Sequence, residues 1–160
     1  MSLKEYLASE AEKLQNERSD AMKKRDEWVG SVGRLLAQIE EWLGEADSGR
    51  VLTFQRGQMT LREAGIGTYD VPFLLIELGA REVTIKPIAR FVAGPLSSTG
   101  AMHVLRSYGR VDMGNRLEKY MIFRTEKELD GPWIIIEEDG YRSQPFNQDT
   151  FESAFQNLLE

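Results

Sequence analysis

The sequence predicts an α+β fold: a long N-terminal helical region, an antiparallel sheet or roll of about seven strands, and a short C-terminal amphipathic helix. Three observations carry this. Leu7, Leu14, Ala21, Trp28, Leu35 and Trp42 recur every seven residues, which is the spacing of a helical seam. From residue 51 onward the apolar period falls to two, the period of a strand. The strand-like runs are joined by short turn signals with no helical pattern between them, which favours antiparallel meanders over parallel crossovers.

The helical region is expected over residues 3–43, in an N-terminal helical, coiled-coil-like region spanning 1–48. Ala11, Val32 and Ile39 fill the companion row of the seam, while Arg18 and Arg25 interrupt it, so the seam is strong at its ends and weak in the middle. Ser2 followed by Glu5 matches a capping box. Gly30 and Gly33 each cost about 1 kcal/mol against alanine in a helix and mark a kink, a break, or the close approach of another backbone. Gly44 and Asp47-Ser48-Gly49 end the region. An uninterrupted helix of this length runs roughly 60 Å, well beyond a domain whose radius of gyration is about 13 Å. Either it breaks near Gly30 or its first half packs on a second copy of the chain, and a long, bent helix whose N-terminal part helps form a dimer is favoured. The expected interface residues are Leu7, Leu14, Trp28, Val32, Leu35, Ile39 and Trp42, with the tryptophans as anchors if they pack across a dimer.

Residues 49–160 read as the β domain. Residues 51–56 and 58–63 suggest a hairpin turning at Gly57. The nearly continuous apolar run of 72–78 suits a strand covered on both faces. Residues 79–82 form a turn. The strand of 83–93 carries Pro87, which cannot donate to a ladder and predicts an edge or a bulge. Residues 102–113 and 116–124 form a hairpin about Gly114-Asn115, and 132–138 supply a further strand after Asp130-Gly131. Phe151, Ala154, Phe155, Leu158 and Leu159 share one face of the terminal helix, with Asp149 and Glu152 as its expected cap. In element order alone the pattern is similar to a pleckstrin-homology-like roll; a single curved sheet with helices on one face fits it equally.

Composition excludes several chemistries. The 160 residues contain no cysteine and a single histidine, His103. Disulfides, thiolate metal sites and cysteine nucleophiles are absent, and multi-histidine zinc sites are disfavoured. No metal and no cofactor is implied, and the reading leans away from an enzyme. No apolar run approaches the roughly 18–20 residues of a membrane span, and charged residues interrupt the N-terminus, so a cytoplasmic location is expected. The net charge of −6 is uneven, at +5 over residues 81–124 and −7 over 125–160. A globally acidic chain is a poor nucleic-acid binder, and the two charged segments are expected to neutralise one another.

Two weak functional signals remain. The loop Gly-Pro-Leu-Ser-Ser-Thr-Gly at 94–100 has the look of a phosphate cradle, but its spacing departs from a P-loop, no lysine follows, and no helix starts there. A plain connection is favoured over an anion contact by Ser97, Ser98 and Thr99. Arg106, Tyr108 and Arg110 stand two apart on one strand, and Arg90 joins them if its strand is adjacent; such a row suits an acidic peptide, a phosphate or a stacked base. The plainer alternative is a solvated face whose arginines pair with carboxylates. Together these features predict a homodimeric interaction or assembly module of adaptor or chaperone character, with a protein as its other partner. The alternative is a small anionic-ligand-binding β roll or modest enzyme built on the Arg/Tyr row.

Overall fold

A computed structural model describes residues 1–94, 107–137 and 142–160. Helix α1 (Leu3–Ala46) precedes β1 (Thr53–Glu63), β2 (Gly67–Leu78), β3 (Arg81–Ala89), β4 (Arg110–Gly114), β5 (Lys119–Arg124), β6 (Trp133–Glu137), β7 (Gln144–Pro145) and helix α2 (Gln148–Leu159). The strands form a single sheet in chain order, β1 to β7, and every neighbouring pair is antiparallel. The arrangement is thus one sheet with helices packed on it.

Helix α1 is continuous over 44 residues. Its capping box is present as read: the Glu5 amide donates to Ser2 Oγ at 3.2 Å, and the Ser2 amide donates to Glu5 Oε2 at 2.9 Å. Of the alternatives that Gly30 and Gly33 left open, a break does not occur. Gly30 serves a close approach instead, because a Cβ there would lie 2.9 Å from Leu129 Cδ2. On the same side Ser31 Oγ donates to the Leu129 carbonyl at 3.3 Å, and Arg34 pairs with Asp130.

The C-terminal half of α1 lies on the sheet. Trp28, Val32, Leu35, Leu36, Ile39 and Leu43 are buried in one core with Leu74, Ile76, Val83, Ile85, Val111, Met113, Ile122, Ile135 and the inward face of α2. The regions 1–48 and 49–160 therefore share this core. The interface assignment is corrected for Trp28, Val32, Leu35 and Ile39, whose exposure within this one chain is 4% or less. Trp42 is half-buried between Phe146 and Phe151, each 5.6 Å away between ring centres. The seam from Trp28 onward is satisfied internally, since the sheet's apolar face is the nearest surface and closing onto it costs no association entropy.

Two local details depart from the sequence reading, the first hairpin and the cap of α2, while the irregularity at Pro87 follows it. Residues 53–63 are one strand, not a hairpin; Gly57 sits mid-strand opposite Phe73, whose ring would be 2.6 Å from a Cβ there. Glycine in a strand thus marks close packing of a neighbour. The turn comes later, with Gly65 and Gly67 at positive φ. Pro87 lies beyond Ile85, the last residue of β3 paired with β2, and on the β4 side the expected irregularity is a register shift between Pro87 and Ala89. The cap of α2 is Asn147 with Thr150, each side chain accepting from or bonding to the other's backbone, in place of Asp149 and Glu152. The seven-strand count holds because the merged first hairpin is offset by the short β7.

Along β2 the buried set slips by one residue, from Tyr69 and Val71 to Leu74 and Ile76. The slip falls at the Gly57–Phe73 pairing, just before β3 begins to pair at Leu74. The distal half of the β1–β2 hairpin thereby turns its odd-numbered face inward and delivers Tyr69 and Glu63 to the middle of α1.

Among the described residues, no helix is long and apolar enough to cross a membrane.

Candidate functional site

The loop residues Ser97, Ser98 and Thr99, and also His103 and Arg106, lie outside the described residues. The remaining members of the predicted row, Arg90, Tyr108 and Arg110, are separated by the fold. Strand β4 places Val111 and Met113 in the core, so Arg110 and Asp112 point to the opposite face of the sheet. There Arg110 Nε and Nη2 donate to Asp112 Oδ1 and Oδ2 at 2.7 and 2.8 Å, a bidentate pair. Lys119 Nζ adds a contact to Asp112 at 3.6 Å. For Arg110 the plainer alternative of a sheet-face ion pair holds.

Tyr108 goes elsewhere because Gly109 intervenes. The Gly109 backbone has φ 140°, its N–H donates to Ser107 Oγ, and the Tyr108 N–H and Gly109 carbonyl both bond to the backbone of Arg124. The chain turns here, and Tyr108 meets the end of β3 on the side of α1. A Cβ at Gly109 would lie 2.1 Å from Trp28 Cζ3, so the indole ring rests directly on this backbone.

Arg90, just past β3, is 7% exposed. Its guanidinium carbon lies 5.1 Å from the ring centres of both Phe91 and Tyr108. The backbone N–H groups of Arg90 and Phe91 donate to Glu63 Oε2 and Oε1 at 3.0 and 2.9 Å, and the Tyr69 hydroxyl also donates to Glu63 Oε2. The Glu63 carboxylate thus anchors the backbone at residues 90–91 and accepts no hydrogen bond from the Arg90 side chain. Desolvation, followed by the Glu63 hydrogen bond and charge, pushes the Tyr69 hydroxyl well above its ordinary value; the nearby Trp28 indole N–H is a smaller opposing influence without full hydrogen-bond geometry.

Behind Arg90 lies Arg124, 1% exposed. Its guanidinium donates to the carbonyls of Tyr108 at 3.3 Å, of Lys127, and of Glu128 at 3.5 Å. Burial lowers the proton affinity of both arginines, and for Arg124 the charge of Arg90 adds to the effect. Both remain guanidinium cations, as arginine does in proteins. The Nε–H groups of both are buried and donate to no partner among the described residues.

These groups open onto a groove of about 560 Å³ between α1 and the end of β3, lined by Asp20, Lys23, Lys24, Glu27, Arg90, Phe91, Ser107, Tyr108, Lys127 and Glu128. Sequence reasoning named Arg90 and Tyr108 but not Lys24, Glu63, Phe91 or Arg124. One signal was available for Arg124: it continues the core-facing alternation Tyr120, Ile122, Arg124 of β5, an unusual register for a charge. Among the described residues no three metal-ligating side chains cluster.

No family model matches the chain, and no curated protein or solved structure matches it significantly.

Proposed function

We propose that the chain is an assembly module that pairs with a second copy of itself through the N-terminal half of α1. The observation that carries this reading is where burial begins on the helix. The first buried residue is Trp28. Before it, Leu3, Tyr6, Leu7, Leu14 and Met22 are all exposed, Leu7 by 55% and Leu14 by 51%. Glu17, Asp20 and Ala21 share a shallow groove with Ala64, Gly65 and Phe91, so residues 3–16 extend past the sheet.

The overhang holds its helical form because it continues a helix anchored on the core, and propagation carries no nucleation cost. Leu7, Ala11 and Leu14 keep the seam spacing where the chain's own sheet no longer covers it. Charge argues for a second copy as occupant. Residues 4–13 carry three acidic and two basic groups, and residues 17–25 carry four basic and two acidic. An antiparallel pair lays each segment beside its complement, as in a two-fold symmetric interface. Full burial of a leucine contributes about 1.5–3 kcal/mol, and association costs roughly 4–15 kcal/mol. A handful of such side chains per copy gives a weak, concentration-dependent dimer.

Size-exclusion chromatography with light scattering tests this. The expected result is a mass rising with concentration toward two chains of 18.3 kDa, and a single-chain mass for Leu7→Glu combined with Leu14→Glu. A one-chain mass throughout, or a dimer indifferent to both substitutions, refutes the reading.

A further inference from the structure

We infer that the groove beside Arg90 is a binding site for the phosphate group of a small molecule. This inference has its own test, apart from that of the pairing of α1, with which it shares Lys23 and Lys24. It starts from an unusual cation. Arg90 is more than nine-tenths buried, lines the groove, and makes no ion pair and no side-chain hydrogen bond among the described residues. A buried charge without a partner is costly unless something supplies the missing counter-charge. Of the two carboxylates whose charge reaches it, Glu63 is occupied by two backbone amides and the Tyr69 hydroxyl, and Glu27 lines the groove without forming an ion pair among the described residues.

The stacking defines how a ligand approaches. Phe91 and Tyr108 each hold the guanidinium carbon at 5.1 Å, and Nε is buried, so an oxyanion would meet the terminal Nη groups. Further donors come from other elements. Lys23 and Lys24 stand on α1, with Lys24 Nζ 5.8 Å from the Phe91 ring centre, and Lys127 stands on the loop after β5. None of these lysines forms an ion pair among the described residues. Arg124 sits directly behind and raises the local potential. Donors arriving from three elements match a tetrahedral dianion better than a planar carboxylate, which one fork satisfies. Asp20, Glu27 and Glu128 also line the groove; against four lining cations and Arg124 they leave room for an anion without making the site a general polyanion surface. The volume of about 560 Å³ exceeds that of a phosphate group alone, and Phe91, 45% exposed, offers an apolar wall for the rest of the molecule.

The test uses the full chain with inorganic phosphate and methyl phosphate as probes, at constant ionic strength in chloride. A ligand bound only by the native state raises the unfolding midpoint with the logarithm of its concentration. The expected result is a rise with phosphate that equal ionic strength of chloride or acetate does not give, together with saturable binding by titration calorimetry. Tighter binding of methyl phosphate identifies an ester as the ligand; tighter inorganic phosphate identifies the free anion. Arg90→Gln should weaken binding at least tenfold, and Lys24→Gln with Lys127→Gln, both exposed and harmless to the fold, several-fold. Arg110→Gln, on the far side of the sheet, should leave it unchanged. No saturable binding, an equal rise with chloride, or equal losses from the Arg90 and Arg110 variants would overturn the inference.

Discussion

At the scale of single residues, Gly109 fixes the site. It alone permits φ 140° and brings the Trp28 ring against the backbone, and the turn it makes carries Tyr108 to Arg90. Gly109→Ala is expected to destabilise the fold by roughly 2–5 kcal/mol, combining backbone strain with overpacking; the urea midpoint measures it, and a loss under half a kilocalorie would contradict the packing described. Tyr69 gives a pH prediction. Its hydroxyl titrates above its unfolded value near 10, so between those two values the unfolded chain loses the proton while the native chain keeps it. The stabilising effect is complete below about pH 10 and is lost as pH rises further. Stability should therefore fall above pH 10 more steeply in the parent than in Tyr69→Phe, and Glu63→Gln should bring the hydroxyl's absorbance titration back toward its ordinary range. Identical alkaline profiles for parent and Tyr69→Phe would exclude this linkage. The choice of Arg124 as a buried cation has a plain structural role as well: it holds three carbonyls of the loops that frame the groove.

At the scale of elements, α1 divides into two functional halves without a break. The C-terminal half is a core helix, tied to α2 through Trp42, Phe146 and Phe151 and to β6 through Trp28 and Trp133, whose ring centres are 6.1 Å apart. The N-terminal half contributes no buried residue. A chain beginning at residue 21 should accordingly keep its cooperative unfolding, losing the Ser2 cap worth about 1 kcal/mol and little else. If the overhang pairs, the midpoint of the full chain rises with protein concentration while that of the shortened chain does not; failure of the shortened chain to fold would mean the core extends further along α1 than burial indicates. The heptad spacing was legible in the sequence, but it is the same spacing for a partner helix and for a sheet, so Trp28, Val32, Leu35 and Ile39 read as interface residues when they are core. The β1–β2 hairpin shows the converse. Gly57 carries a turn signal by composition, and only the Phe73 ring across the strand explains why it is needed in the middle of one.

At the scale of the whole molecule, the sequence by itself determined the class of fold, the order of its elements, the cap at Ser2, the irregularity at Pro87 and the apolar face of α2. These depend on periodicity and backbone chemistry acting over a few neighbouring residues. Tertiary structure decided which surface covers the seam of α1, which face of the distal hairpin turns inward, and which members of the Arg/Tyr row meet. Arg90 and Tyr108 converge across a gap of many residues, while Arg110, two positions from Tyr108, faces the other way. A single turn at Gly109 makes that difference, and strand alternation carries no information about where alternation stops. Burial and pairing of charges are set by long-range packing, and for that reason Arg90, a buried cation with no ion pair among the described residues, becomes visible only once the sheet and helix are brought together.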